Sequence, residues 1–236
     1  MKPFRKISMF VGILFIIGTG AGILSGVVTQ PILTAPGYLQ NIAAHETQWI
    51  VGTLLILVMG LPLAMVPVAL FPILKKQNEV LAIGAIVFRG VLEAISYILM
   101  VTCFLLLLTV GKQASISSGA SQLASFQDLG NLLRSASSWF ELILAIVFSI
   151  GSIMINFLLY QMKLIPRWLS GWGLIGSILY FAAPLVSMLS PQHPALSFDT
   201  AIGFLIGPLA LQEMVFALWL LVKGFNPSAR LVQSAA

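Results

Sequence analysis

Three charged side chains stand in apolar surroundings. Arg89 and Glu93 lie one helical turn apart inside FRGVLEAISY, Phe88 to Tyr97, and Glu213 lies inside LALQEMVFAL. One arginine against two glutamates is an uneven set. Arginine keeps its proton, so two ionised carboxylates would leave a buried net negative charge. Either one glutamate holds a proton, or a cation or water-filled cavity accompanies the cluster. A carboxylate that takes and releases a proton is the chemistry of proton-linked transport. A glutamate acting as general acid or base on a lipid-like substrate is the enzymatic alternative. A sealed charge cluster that fixes helix register or an assembly partner is the structural one. Gln212, Tyr97, Ser96 and Asn156 are the candidate hydrogen-bond partners.

Other chemistry is thinly represented. His45 and His193 fall in loops, with Glu46 beside the first, and neither has a second histidine at ligand spacing. The expectation is no metal and no cofactor. No Walker loop, GxSxG or HExxH occurs. Cys103 is the single cysteine and sits in an apolar run, as a small packed hydrophobe does.

The elements that hold these residues are membrane helices. Of 236 residues, 59% are hydrophobic and 8% charged, and the mean hydropathy is +1.03. Soluble domains carry about 25% charged residues. Runs of about 20 apolar residues, enough to cross a bilayer core as helix, recur along the chain. The expected architecture is all-α: a single integral membrane domain over 1–236, with spans near 7–28, 49–74, 80–111, 137–161, 168–189 and 200–223. The first run is too long for a signal-peptide core and reads as a retained helix. The net charge of +5 does not indicate nucleic acid, because the basic residues are spread through short loops.

The loops orient the bundle. Lys2, Arg5, Lys6, Lys75, Lys76, Lys163, Arg167, Lys223 and Arg230 fall on one side, and Lys112 and Arg134 on the other. The basic side is expected to be cytoplasmic, with both termini inside. LKKQNE and KLIPRW form a basic rim there, suited to anionic lipid as well as to topology. Trp49, Trp139, Trp168, Trp172 and Trp219 all fall near span ends, as an aromatic belt requires.

On this topology Arg89 lies about 14 Å from the inner surface, Glu93 about 6 Å deeper, and Glu213 about 15 Å in. A charge at mid-bilayer costs at least ~2.5–3.5 kcal/mol. Clustering lets the three share one site, so they are expected together in the bundle interior.

Local signals add detail. Gly18, Gly22 and Gly26 form a small-residue stripe for close helix packing, within the chain before any homodimer. Pro62, Pro67 and Pro72 predict a bent or partly unwound second span. SSWFE reads as a capping box opening span four, with Ser138 as N-cap and Glu141 three residues on. Asp199 is placed to cap span six. In the loop 112–136, Phe126, Leu129, Leu132 and Leu133 share one helical face, which suggests a short helix lying on the membrane surface. No internal repeat stands out; GLPLA and GPLAL match by chance.

Three stretches carry a resemblance: LFPILKKQNEVLAIGAIVFRGVLEA, LLYQMKLIPRWLSGWGLIGSIL and GPLALQEMVFALWLLVKGFN. Together they resemble the family catalogued as domain of unknown function 4386, small multi-pass membrane proteins of bacteria and some archaea. The likeness covers most of the chain. It implies a six-helix fold in the plasma membrane of a bacterium or archaeon, and brings no reaction with it.

Overall fold

In hydrocarbon a backbone amide finds its partner within its own helix, and the chain folds accordingly. The computed structural model describes residues 2–190, 196 and 202–226. Among them there are seven helices and no strand: α1 Lys2–Thr34, α2 Tyr38–Ala44, α3 Glu46–Leu74, α4 Glu79–Ile116, α5 Ala120–Met162, α6 Arg167–Leu189 and α7 Gly203–Val222. All but α2 are long and apolar enough to cross a membrane. His193, Asp199 and Arg230 lie outside the described residues.

The six long helices pack in chain order. α1 lies against α3, α3 against α4, α4 against α5, α5 against α6, α6 against α7, and α7 returns to α1. They close a ring in which α4 and α7 stand three steps apart either way round. Arg5 locks the closure. Its guanidinium donates to the carbonyls of Leu220 and Leu221, at 3.3 and 2.7 Å. The last carbonyls of a helix have no intrahelical donor, so a cation there is doubly suited. The N-terminus and the end of α7 thus share one end of the bundle, the termini end. α2 and the α4–α5 turn mark the other, the α2 end.

Several sequence-based expectations change. Ser138 does not cap a helix, because α5 runs unbroken through it. Between 120 and 162 there is no proline. Ser125, Ser137 and Ser138 return their hydroxyls to carbonyls three or four residues back, which satisfies them inside a continuing helix. The expected surface helix is instead the first part of α5. At 43 residues, α5 is about 65 Å long, far beyond a bilayer core of about 30 Å. Its early turns stand at the α2 end, with Phe126 and Leu133 packed inward and Leu129 and Leu132 exposed.

Trp49 does not face the membrane surface. The seven-residue α2, which sequence reasoning did not anticipate, brings Leu39 and Ile42 into one cluster with it. Its ring stacks on Phe104 at 5.1 Å and its indole N–H donates to the Phe104 carbonyl at 2.8 Å. At the termini end, exposed Trp168 stacks with Trp172 and meets Trp219 edge-on.

α3 does not unwind at its prolines; Glu46–Leu74 is one helix. Each proline deletes a single bond and leaves the ladder on both sides intact. The irregular turn lies in α4, which has no proline. The glycine stripe of α1 is used within the chain: a Cβ on Gly18 would sit 2.7 Å from Leu63 and one on Gly22 2.5 Å from Met59, both of α3, whereas Gly26 meets nothing within 4 Å.

Candidate functional site

The irregular turn of α4 carries the arginine. Ile86–Leu92 is π-helical. The Glu93 N–H reaches back five residues to the Phe88 carbonyl, one residue further than an α-helix allows. Such turns are rare and recur at functional sites. This one is packed between α3 and α5. On the α5 side, Gly151 lies directly against Arg89: a Cβ there would be 2.6 Å from Arg89 Cβ and 2.8 Å from its backbone nitrogen. On the α3 side, Gly90 lies near the Ala64 carbonyl.

From this turn Arg89 reaches across the ring. Its Nη2 lies 2.7 Å from Glu213 Oε1 on α7. At that distance the two groups form a direct ion pair. Phe148 of α5 supports the guanidinium, with Cζ 4.3 Å from the ring centre, and Phe15 of α1 lies at 5.5 Å. An aromatic face favours a desolvated cation. Phe15 in turn meets Phe216 of α7 edge-on at 5.7 Å. Three sides of the guanidinium are thus furnished by α1, α5 and α7.

Glu93 is held differently. It is 0% exposed, Arg89 is 1%, and the Glu213 side chain is 14%. The Tyr97 hydroxyl donates to Glu93 Oε1 at a long 3.5 Å. Glu93 Oε2 and Arg89 Nε have no hydrogen-bond partner among the described residues. The Arg89 charge acts on both carboxylates, but only Glu213 touches it in an ion pair.

Of the four candidate partners, Tyr97 alone bonds to a cluster member. Ser96 donates to the Leu92 carbonyl of its own helix. Gln212 ties α7 to α6 through the Leu169 carbonyl at 3.2 Å. Asn156 bonds Ser152, which accepts from Ser177 at 2.9 Å, so these residues form a separate α5–α6 seam. Phe15, Phe148, Gly151 and Tyr180 were not singled out from sequence. Tyr180 of α6 packs on Phe148 with ring centres 5.0 Å apart. The legible signal was the run of small and polar residues SIGSIMIN on α5, which marks a close helix interface. Glu141, released from its expected cap, lies two helical turns before Phe148 on α5 and interacts electrostatically with Tyr180.

A concavity lies far from these charges. Gly37, Tyr38, Gln40, Gln127 and Asn131 line a cleft of about 210 Å³ at the α2 end. Tyr38 donates to Asn131 at 2.9 Å beneath the Arg134 guanidinium. Partial burial pushes the Tyr38 phenol up from its ordinary value, against the pull of Arg134. His45 is occupied with the Asn41 carbonyl, and among the described residues no group of three His, Cys, Asp or Glu is placed to hold a metal.

A family model described as Domain of unknown function (DUF4386) matches residues 10–224. No curated protein and no solved structure matches the chain.

Proposed function

The chain belongs to the DUF4386 family, and from that premise we propose that it is a multi-pass protein of a bacterial or archaeal plasma membrane whose Arg89, Glu93 and Glu213 carry a proton in a transport-like cycle. One observation supports this above others. A single guanidinium, paired with Glu213, leaves a fully buried Glu93 with one long hydrogen bond and a bare second oxygen. An ionised carboxylate so poorly solvated is costly, and a proton removes the charge. The titratable groups around it are Arg89 and Tyr97 on α4, Glu213 on α7, Tyr180 on α6 and, further out, Glu141 on α5. α1 and α3 contribute none at this depth.

Infrared spectroscopy of the purified protein tests the proposal. At neutral pH the wild type is expected to show the carbonyl stretch of a protonated carboxylic acid, and Glu93→Gln to lose it. No such band in the wild type ends the proton reading. Transfer to heavy water separates a working site from a sealed strut. Exchange within minutes fits proton traffic, whereas a band unshifted until the protein unfolds fits a strut.

The termini end carries most of the basic residues and is proposed to be cytoplasmic, with Lys6, Lys75, Lys76, Lys163 and Arg167 near anionic headgroups. In a Cys103→Ala background, a cysteine replacing Ser118 should react with an impermeant thiol reagent on intact cells. One replacing Gln77 should stay protected. Both positions are exposed at opposite ends of the bundle. The reverse labelling pattern would invert the orientation.

A further inference from the structure

We infer that Arg89 is a two-position side chain: it exchanges partners between Glu213 on the facing helix and Glu93 on its own, while the proton takes the carboxylate that Arg89 has left. The inference rests on the proton-linked reading and adds how the site moves.

Reach comes first. Residues four apart on a helix are surface neighbours, so Glu93 is within the ordinary range of Arg89 without any movement of α7. The intervening turn is the π-helical one, whose wider spacing is the least regular backbone of α4. The unused valences match as well. Arg89 Nε lacks an acceptor and Glu93 Oε2 lacks a donor, and both atoms are buried on the same helix. Phe148 and Phe15 flank the guanidinium. A ring face stabilises a cation without prescribing which carboxylate completes its shell, so the support persists through the exchange.

Charge conservation makes the exchange feasible in low dielectric. In one state Glu213 is ionised beside Arg89 and Glu93 is a neutral acid. In the other, Glu93 is ionised beside Arg89 and Glu213 is the neutral acid. One proton leaves one carboxyl oxygen and one arrives on the other; no bond to carbon changes, and the buried net charge is zero in both states. The states differ in access. Glu213 is 14% exposed and Glu93 is 0%. Glu213 is therefore the less enclosed of the two proton positions and Glu93 the fully enclosed one. Tyr97, whose hydroxyl already points to Glu93, serves that carboxylate in either state.

The test uses the two amide variants, each close in shape to a protonated acid. In a crystal structure of Glu213→Gln, the Arg89 guanidinium is expected within about 4 Å of the Glu93 carboxylate, ion-pair distance. In Glu93→Gln it should remain on Glu213. The acid band of the cluster should vanish in both variants, because each retains one of the two cluster carboxylates and Arg89 ionises it. The exchange is overturned if, in Glu213→Gln, Arg89 stays beside the new α7 amide, or if that variant keeps the acid band. It is overturned equally if Glu213→Gln fails to fold while Glu93→Gln folds, since Glu93 then cannot substitute. These outcomes differ from failure of the proton reading, which is the absence of the band in the wild type.

Discussion

Replacing both Glu93 and Glu213 by glutamine is expected to cost the folded protein about 3–5 kcal/mol, the range for a buried charge stripped of its counter-charge. Arg89 would remain, 1% exposed, against Phe148 and two amides. Arginine cannot shed its proton to escape, so the full penalty falls on the fold. Either single glutamine variant should be mild, because the remaining carboxylate can neutralise Arg89. Arg89→Leu should fall between: it leaves two carboxyls without their cation, and both can take up protons. Thermal unfolding of the four variants in one detergent gives the order. A double variant as stable as the singles would mean that the carboxylates do not sustain Arg89. A Glu213→Gln variant as unstable as the double would mean that Glu213 alone does.

The second large effect is expected from a single methyl group. Gly151→Ala would put a Cβ 2.6 Å from Arg89 Cβ and 2.8 Å from Arg89 N. A flexible side-chain tip could turn aside, but the backbone of a packed helix cannot. α5 must then move off α4 at its π-helical turn, at a cost of about 1–3 kcal/mol for overpacking. The displacement would also shift Phe148, three residues earlier on α5, from beneath the guanidinium. Gly26→Ala is the control. Its Cβ meets nothing within 4 Å, so alanine's helix preference should stabilise α1, by up to about 1 kcal/mol. Opposite signs for the two glycines in the same unfolding assay are the expected result. A neutral Gly151→Ala would show that α4 and α5 are not pressed together there.

The sequence by itself determined what depends on residue type and run length. Six apolar runs of spanning length require six helices, because backbone amides in hydrocarbon have no other partner. The mismatch of one arginine against two glutamates is likewise a matter of counting, and so is the pull of those charges toward one interior site. Even the separation of basic loops onto one end follows from alternation along the chain. Helix ends were less legible. SSWFE has the composition of a cap, yet Ser138 sits mid-helix, because nothing between Ala120 and Trp139 obliges the helix to stop and its serines can satisfy themselves on the preceding turn.

Only the tertiary structure decided which helix faces which. In a soluble protein an apolar stripe points to the core, but in lipid every apolar face is equally acceptable, so the pattern of hydrophobic residues names no neighbour. Partners are chosen by shape, through glycines such as Gly151 and Gly18 that let backbones close on Arg89 and Leu63. That choice set α4 opposite α7, brought Arg89 to Glu213 rather than to Glu93, and folded Trp49 under α2 instead of leaving it at the membrane surface. The π-helical turn belongs here too. α3 keeps its helix through three prolines while α4 departs from regularity with none. The departure lies where α4 is packed between α3 and α5 with a charge to aim across the ring, and packing of that kind is a property of the assembled bundle that no single segment carries.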